Sequence, residues 1–367
     1  MTVTSSDFNN INVAISAYAD AARADQALLI SAGLTTADAR VTDAGENYTG
    51  TVRWLNYTDP TTFSKPDEGT GTSLNLLDVT NQAEVYIKNV DATAIQEANM
   101  QAVISKVDGL SFLGRQFGAV RARREDHNLR SVLSGVAKSV YGSHTLADNT
   151  AGAVVGTFGY VLPTGTAGGL PTGDDLAPLF ANTSGVQQVR STFFDELLNA
   201  LQNVQTEFEL PFYYLAINSA TFNILRKENV LDNQLVQDGN ITFNTLLGGK
   251  IRLILTGNSG VAGAAINSSD VVATGVQTSI LMTPGAFVYQ GVAVPNPVAT
   301  ERDEIAGNGG GRVTIINRWG NIIHPRGYSY AGSNSAYPTN VVLNTAASWT
   351  RQAANVNQTG IFPIFHG

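Results

Sequence analysis

The stretch GLSFLGRQFGAVRARREDHNLRSVLSGVAKSVY, residues 109 to 141, decides how the rest of this sequence is interpreted. It contains no proline, and its apolar residues recur every three or four positions, as in a buried helical stripe. The stripe has two parts, Leu110, Leu113, Phe117 and Val120, and then Leu129, Val132, Leu133, Val136 and Val140. At about 100° per residue the two parts point to different sides. The sequence therefore predicts one helix about 50 Å long that packs against different neighbours along its length.

A charged run separates the two apolar parts of this helix. It consists of Arg121, Arg123, Arg124, Glu125 and Asp126. Residues 109 to 141 hold six lysines and arginines and two acidic residues (6 − 2 = +4), whereas the rest of the chain carries −12 (16 − 28). The ordinary interpretation is a solvated face. The alternative is that the arginines bind carboxylates of a neighbouring subunit or of the acidic N-terminal segment.

Composition predicts a globular α+β protein. The chain has 367 residues, of which 43% are hydrophobic and 14% charged, enough for one large or two ordinary domains. Its 36 glycines, with abundant Thr, Asn and Ser, favour many short strands joined by turns. The absence of cysteine excludes disulfides and thiolate metal sites, and the net charge of −8 argues against a general nucleic-acid binder. We expect no targeting segment and no membrane span, because no signal-like start and no window of ~18 apolar residues occurs.

The sequence offers no convincing catalytic or cofactor-binding motif. No two of the four histidines have a metal-ligand spacing, and no serine lies in a GxSxG pattern. The glycine-rich run GNGGG at residues 307–311 precedes a predicted strand, whereas a phosphate-binding loop follows a strand and opens a helix. We therefore expect no enzyme, no cofactor and no metal.

Two parts of the N-terminal third cannot form a core of their own. Ile11, Ile15, Tyr18 and Ala22 form a narrow helical stripe that we expect to lie on a neighbouring surface. Alternating residues at Thr51–Leu55 and Ala83–Lys88 predict two strands, joined by a long polar tip. A long two-stranded hairpin is marginal alone in water. It therefore needs a partner, within the chain or from another chain.

The C-terminal half predicts a mixture of helices, strands and glycine-rich loops. A helix is expected at Thr192–Phe208, and a strand at Phe212–Ile217 is followed by a short helix through Leu225. Further expected elements are a hairpin at Ile241–Leu247 and Lys250–Leu255 turned at Gly248 and Gly249, strands at Val271–Met282, Val313–Trp319 and Ile322–Tyr328, and a final apolar run at Ile361–Phe365. Two exposed loops are expected at Thr256–Asp270 and Ala299–Arg312.

This order of parts, with four local stretches, resembles a known family. The stretches are GRQFGAVRARREDHNLRSVLSGVA (114–137), FYYLAINSATFNILRKENVL (212–231), RWGNIIHPRGYSY (318–330) and the ending SWTRQAANVNQTGIFPIFHG. Together they resemble the major capsid protein of tailed double-stranded DNA bacteriophages, which has the HK97-like fold. The resemblance covers nearly the whole chain.

The resemblance implies a domain organisation. Residues 1–49 would be the N-terminal arm and 50–90 the extended loop (E-loop). Residues 91–211 would be the peripheral (P) domain, with the spine helix at 109–141, and 212–315 the axial (A) domain. Residues 316–367 would return to the P-domain and end in a C-terminal tail. We expect no scaffolding segment ahead of the arm, so scaffold would come from another protein or be absent.

The resemblance also implies a function. The chain would self-assemble into hexamers and pentamers that form the icosahedral head around a double-stranded DNA genome. It would be assembled in the host cytoplasm and reside in the virion. Its other partners would be the portal protein, scaffolding and decoration proteins, and packaged DNA contacted without sequence specificity. No membrane contact is expected.

We place the candidate assembly interface at three sites. The first is the hairpin tip, with Asp59, Lys65, Asp67 and Glu68. The second is the charged run of the long helix, Arg121, Arg123, Arg124, Glu125 and Asp126, and the third is Trp349. Reversing Arg121, Arg123 and Arg124 together is expected to leave a folded subunit that assembles poorly.

Three alternatives remain open at the level of the sequence. An encapsulin-like nanocompartment shell has the same fold and differs in its cargo. A secreted β-rich adhesin would explain the Thr, Asn and Gly content, but it should carry an export signal and fits the long basic helix poorly. A hydrolase would need a convergent set of catalytic residues that the sequence does not reveal.

Overall fold

The structure is a computed structural model. It describes residues 13–21, 23, 30–42, 47–58, 78–97, 109–142, 197–198, 201–202, 204–205, 209–227, 231–232, 235–238, 241–255, 277–303, 305, 312–333, 337–353 and 359–366.

Several helices organise the described part of the chain, including a short π-helix at Ile30–Leu34 and a 3₁₀ turn at Ala346–Ser348. Helix α1 spans residues 13–21. Helix α2 spans Gly109–Gly142, so the long helix expected from the sequence is confirmed. Helices α3 and α4 span Ser219–Lys227 and Asn340–Leu343. The described residues between 197 and 205 are also helical, in agreement with the expected helix at Thr192–Phe208.

Fifteen strands occur in the described residues. They are β1 Thr35–Thr36, β2 Thr49–Thr58, β3 Asp78–Glu97, β4 Tyr213–Ile217, β5 Val236–Asp238, β6 Ile241–Phe243, β7 Thr245–Leu246, β8 Ile251–Leu255, β9 Gln277–Met282, β10 Phe287–Val292, β11 Val298–Asp303, β12 Arg312–Pro325, β13 Tyr328–Tyr330, β14 Trp349–Arg351 and β15 Ile361–His366. A six-stranded sheet has the order β1-β10-β12-β3-β2, with β11 also paired to β12. A five-stranded sheet has the order β15-β9-β4-β8-β7, and two further pairs are β13-β14 and β5-β6.

The five-stranded sheet is covered on both faces. Successive side chains of a strand point to opposite faces. In β4, Tyr214 and Ala216 therefore join the core beneath α2, whereas Tyr213, Leu215 and Ile217 join a second core with the helical residues near 201 and with α3. All five residues of β4 are buried, as expected for the central strand of a sandwiched sheet.

Helix α2 packs against two different surfaces. Near its start, Leu113 and Phe117 pack with Ile15 of α1 and Ile315 of β12. Further along, its second apolar set lies in the core over the five-stranded sheet; these residues are Leu129, Val132, Leu133, Val136 and Val140. The predicted change of neighbours along the helix is thus confirmed.

Strand β3 joins the predicted hairpin to the six-stranded sheet. Its first ten residues pair antiparallel with β2, from Thr58↔Asp78 to Thr49↔Ile87. Its last ten residues pair with β12, from Ile322↔Lys88 to Val313↔Glu97. The hairpin expected from the alternating segments is confirmed and is longer than predicted. Its tip, residues 59–77, lies outside the described residues.

Two local expectations were wrong. The segment Ala299–Arg312 is not a loop throughout, because β11 covers Val298–Asp303 and pairs with β12. The two strands expected at Val313–Trp319 and Ile322–Tyr328 are largely one strand, β12, which runs on through Gly320. Side chains of Val292 and Val294 lie 3.0 and 3.3 Å from the position of a Cβ at Gly320, so glycine here permits close packing and does not mark a turn.

Other expected elements fit with changed boundaries. The turn at Gly248 and Gly249 is confirmed, with φ of 68° and 90°, which glycine adopts without strain. The strand before this turn is interrupted at Asn244, between β6 and β7. The expected loop Thr256–Asp270 lies outside the described residues.

Candidate functional site

The charged middle of α2 forms a buried cluster around Glu125. The Glu125 side chain is fully buried and accepts three hydrogen bonds. Arg23 Nε donates to Oε2 at 2.6 Å, and Arg121 Nε and the Tyr289 hydroxyl both donate to Oε1 at 3.0 Å. The donors come from the N-terminal segment, from α2 itself one turn earlier, and from β10. A buried carboxylate is tolerated because these bonds replace its hydration.

This cluster fixes the N-terminal segment on the helix. Arg121 Nη1 also pairs with Asp20 of α1 at 2.6 Å. The Arg23 guanidinium lies over the Tyr289 ring, 4.8 Å from its centroid. Ile15 and Ala19 anchor the apolar side of α1. Of the two partners expected for the arginines, the structure thus shows the N-terminal segment, through Arg121.

The environment shifts two pKa values in this cluster. Burial by itself lowers the pKa of Arg121, but the charge and hydrogen bond of Glu125 outweigh it and raise that pKa above its ordinary value. The pKa of Tyr289 is raised, first by burial and then by the negative charge of Glu125. Arg121 therefore stays charged and Tyr289 stays protonated, which is the combination that Glu125 needs for its hydrogen bonds.

A second polar chain crosses α2 one turn further along. Arg124 Nε donates to Asp91 Oδ1 of β3 at 3.0 Å, and Asn128 Nδ2 donates to Asp91 Oδ2 at 3.2 Å. Asn340 Nδ2 of α4 then donates to Asn128 Oδ1 at 2.9 Å and to Ser131 Oγ at 3.1 Å. The helix is thereby tied to β3 on one side and to α4 on the other.

A buried pair anchors the base of the hairpin. Glu84 lies in the part of β3 that pairs with β2, and its Oε2 is 2.8 Å from His324 Nε2 of β12. Its Oε1 accepts a hydrogen bond from the Gly327 amide at 3.0 Å. The next residue, Val85, donates its amide to Ser329 Oγ at 2.9 Å. The hairpin base is therefore fixed to β12 and to the residues that follow it.

The described members of the predicted interface differ in their exposure. Arg123 is exposed, and its Nε donates to the Ala119 carbonyl one turn back. Glu125 and Asp126 are buried, so the solvated-face interpretation is wrong for both. Because Arg121 binds the buried Glu125, reversing Arg121, Arg123 and Arg124 together would damage the subunit itself, contrary to the expectation from the sequence. Asp59, Lys65, Asp67 and Glu68 lie outside the described residues.

Trp349 belongs to the core of its own chain. Only 3% of it is exposed, and its Nε1 donates to the Leu343 carbonyl at 2.8 Å. The indole also covers Gly135 of α2, where a Cβ would lie 2.6 Å from Nε1. Tyr330 meets the ring edge-on at 5.7 Å. We therefore keep Trp349 out of the interface proposed below.

Sequence reasoning missed the partners of these charged residues. Glu84 and His324 are separated by 240 positions, and although each lies in a segment noted above, no sequence pattern pairs them. Tyr289 and Asp91 were likewise not singled out. Among the residues that the structure describes, no group of three or more His, Asp or Glu is placed to hold a metal ion. In the same residues, no helix is both long and apolar enough to cross a membrane.

Comparison with known proteins yields structural likeness only. No protein-family model matches the chain. No curated protein matches it either.

Several solved phage heads are similar in structure. The capsid of Ralstonia phage GP4 matches with a TM-score of 0.50 and 12% identity, covering 90% of this chain and 86% of that one. The capsid of cyanophage P-SCSP1u has a TM-score of 0.41 and 14% identity, over 79% of this chain and 82% of that one. The head of Helicobacter pylori bacteriophage KHP40 has a TM-score of 0.43 and 9% identity, over 91% and 89%. By its likeness to the GP4 capsid, this chain has the mixed α/β fold of a phage capsid protein.

Proposed function

We propose that this chain is the structural major capsid protein of a tailed bacteriophage. It self-assembles into hexamers and pentamers, and these form the icosahedral head around double-stranded DNA in the virion. The observation that carries the proposal is the fold, which the GP4 capsid shares over 90% of this chain. The subunit acts by its shape and its contacts, and no enzymatic role is proposed.

We assign the parts of the fold to roles in a shell. The hairpin β2–β3 is the extended loop, within residues 50–90, and residues 1–49, including α1, are the arm. Helix α2 is the spine of a peripheral domain, within 91–211, to which residues 316–367 return, although their last strand, β15, pairs with β9 in the five-stranded sheet. The axial domain, within 212–315, is centred on the five-stranded sheet, because β10, β11 and the start of β12 pair in the other sheet.

The hairpin is the part best suited to reach another copy. Strand β2 is last in the order of its sheet, and over Thr49–Thr58 its partner strand is β3. Such a ribbon gains little stability alone in water. In a shell, the same modest contact recurs at every copy, so weak contacts add up to one stable particle.

We propose two groups of interface residues. The first is the hairpin tip, with Asp59, Lys65, Asp67 and Glu68. The second is Arg123, because it is exposed beside the buried ion pairs of α2. The portal protein, scaffolding and decoration proteins, and packaged DNA contacted through its backbone are further proposed partners.

Replacing residues 59–71 by an Asn-Gly turn tests the proposal. The thermal unfolding of isolated subunits should stay nearly unchanged, because this part of the tip holds few apolar residues, whereas closed particles should be lost or become fragile. Electron microscopy and heating of purified particles measure both. The matched control is the full-length tip with Thr62→Ser, which changes none of the proposed interface residues and should form normal particles. Normal and equally robust particles from the shortened chain would contradict the role of the hairpin.

The contents of the particles test the function itself. A phage head assembled during infection should contain double-stranded DNA. Particles that instead carry a packaged enzyme would identify an encapsulin-like compartment with the same fold. A purified chain that remains monomeric under all assembly conditions, with its fold intact, would overturn both shell functions.

A further inference from the structure

A band of polar residues lies between α2 and the six-stranded sheet. Alternate residues of a strand share one face, so Ile315, Asn317, Trp319, Asn321 and Ile323 all lie on the same face of β12. The two ends of this row are apolar. Ile315 packs with the first apolar set of α2, and Ile323 lies in the same core as the second. The three residues between them carry polar groups.

Strand β3 continues the band. In its register with β12, Asn89 lies opposite Asn321, and Asp91 lies opposite Trp319. Directly opposed residues of an antiparallel pair project to the same face. Asp91 accepts hydrogen bonds from Arg124 and Asn128, so this face is turned towards α2.

The polar parts of helix and strand match in length. From Arg121 to Asn128 the helix rises about 10 Å. From Asn317 to Asn321 the strand extends about 13 Å. The polar middle of α2 therefore lies over the polar middle of β12, with an apolar contact at each end.

Four buried polar atoms of the band have no hydrogen-bond partner among the described residues. Three are donors, Asn317 Nδ2, Trp319 Nε1 and Asn321 Nδ2, and one is an acceptor, Asn89 Oδ1. None of the four residues is more than 5% exposed. Their direct link is a long bond, 3.5 Å, from Asn89 Nδ2 to Asn321 Oδ1. Native proteins rarely leave so many neighbouring buried groups unpaired.

The charges and hydrogen-bonding groups of the band favour an uncharged ligand. Arg23 and Arg121 pair with Glu125 and Asp20, and Arg124 pairs with Asp91, so three cations meet three carboxylates. These three pairs are balanced in charge and so do not by themselves favour an anion. Unpaired donors beside an unpaired acceptor suit water, which donates and accepts.

We propose that Asn89, Asn317, Trp319 and Asn321 form a binding site for ordered water molecules between α2 and the sheet. The waters accept hydrogen bonds from the indole and the two amide donors, and they donate to Asn89 Oδ1. This hydrated band completes the contact that the helix makes with Tyr289 of β10 through Glu125 and with Asp91 of β3 through Arg124. The site belongs to the subunit and does not depend on shell formation.

The three tryptophans of the chain provide a direct test with an internal control. The full-length, unassembled subunit is labelled with ¹⁵N-tryptophan, and the indole signals of Trp319 and Trp349 are assigned with Trp319→Phe and Trp349→Phe. We expect a cross-peak from long-lived water to the indole proton of Trp319. Trp349 should show none, because its Nε1 is bonded to the Leu343 carbonyl at 2.8 Å. Absence of the water cross-peak at Trp319 would overturn the proposal.

Three further measurements sharpen the result. Asn321→Leu keeps the side-chain volume but removes one water ligand, so it should weaken the Trp319 cross-peak at least twofold and leave the Trp349 signal unchanged. Titration with chloride or inorganic phosphate should not move the Trp319 signal in a saturable way, and saturable movement would replace the water site by an anion site. In assembled particles, a density map fine enough to resolve waters should show at least one within hydrogen-bond distance of Trp319 Nε1, and a dry band would contradict the proposal.

Discussion

Two of the contact surfaces of α2 differ in what holds them. Residues 129–140 pack through buried aliphatic side chains onto the core above the five-stranded sheet. The middle of the helix instead makes its contacts through Glu125, Arg121 and Arg124, which are tied to three other segments. One continuous helix therefore combines a dry contact with an ionic one. The comparison teaches that two kinds of interaction hold the helix, apolar contacts over the five-stranded sheet and ionic contacts to β3 and β10 of the six-stranded sheet.

The two surfaces should respond differently to substitution. Hydrophobic contact is non-directional and roughly proportional to the area removed from water. A buried ion pair depends on direction, and the loss of one member leaves the other desolvated without a counter-charge. A single substitution should therefore lower the free energy of unfolding more on the ionic surface than on the apolar one. Replacing all charged members of an ion-pair cluster together should lower it less.

The largest effect is expected from Glu125→Ala. It leaves Arg23 and Arg121 partly buried without their shared carboxylate, and this should lower the free energy of unfolding by about 3–5 kcal/mol. Urea unfolding of the subunit, followed by circular dichroism, measures the change. Limited proteolysis should also cut the N-terminal segment faster, because this segment loses the ion pair between Arg23 and Glu125.

The joint variant Arg23→Met, Arg121→Met and Glu125→Leu is the control for this prediction. Replacing all members of a buried ionic cluster by apolar residues is often neutral or stabilising. We therefore expect the triple variant to recover most of the stability that Glu125→Ala loses. If the triple variant is the less stable of the two, the cluster contributes more than the avoidance of unpaired charge.

On the dry surface, Leu133→Ala should cost about 2–5 kcal/mol, because it leaves a cavity in a closely packed core. Leu133 is almost completely buried. The same urea measurement applies, repeated at low and high salt. The cost of Leu133→Ala should not depend on salt, and a marked salt dependence would show that the two surfaces of α2 are not independent.

A smaller effect is expected from Tyr289→Phe. At neutral pH the variant loses one charge-assisted hydrogen bond to Glu125, which should cost about 1.5–3 kcal/mol. The folded protein raises the pKa of Tyr289, so the stability that this tyrosine contributes is fully present below its unfolded pKa near 10 and is lost as pH rises towards the folded value.

The alkaline range separates the wild type from this variant. Above pH 10 the wild type should lose about 1.4 kcal/mol per pH unit on account of Tyr289, until the folded pKa is reached. Tyr289→Phe lacks this loss, so the stability difference between the two proteins should shrink. Tyr328, whose pKa burial also raises, is present in both proteins and cancels in the comparison. Parallel pH profiles would contradict the role assigned to Tyr289.

The apolar contacts of the fold could be predicted from the sequence, whereas the ionic contacts could not. The apolar repeats of residues 109–141 predicted the long helix and its change of neighbours, because periodicity records which side of a helix is buried. The alternating segments around Val52 and Val85 predicted the hairpin for the same reason. These signals are local, so a single sequence is enough to find them.

The ionic contacts could not be predicted in this way. Glu125 stands in a run of charges, and such runs usually face solvent. Its burial depends on Arg23 and Tyr289, which lie 102 and 164 positions away along the chain. Trp349 differs in the opposite direction. The sequence places this aromatic residue at an interface between subunits, but in the structure it fills the space over Gly135 of its own chain. Side-chain type alone does not tell which long-range partner is present.

The smallest effect on stability is expected from Arg123→Glu. This variant also separates the exposed charge of α2 from the buried ion pairs on either side of it. Arg123 lies between the residues of the ionic surface, yet it is exposed, and the bond that it makes to the described residues goes to a carbonyl of its own helix, that of Ala119. Reversing its charge should therefore change the unfolding free energy by about 0.5 kcal/mol or less. Arg121→Glu is the matched control, because it places a second carboxylate against Glu125 and should destabilise the subunit strongly.

With folding preserved in Arg123→Glu, particle yield in electron microscopy reports on assembly alone. A clear fall in yield supports Arg123 as an interface residue, whereas normal particles restrict the proposed interface to the hairpin tip and leave Arg123 as a solvated charge.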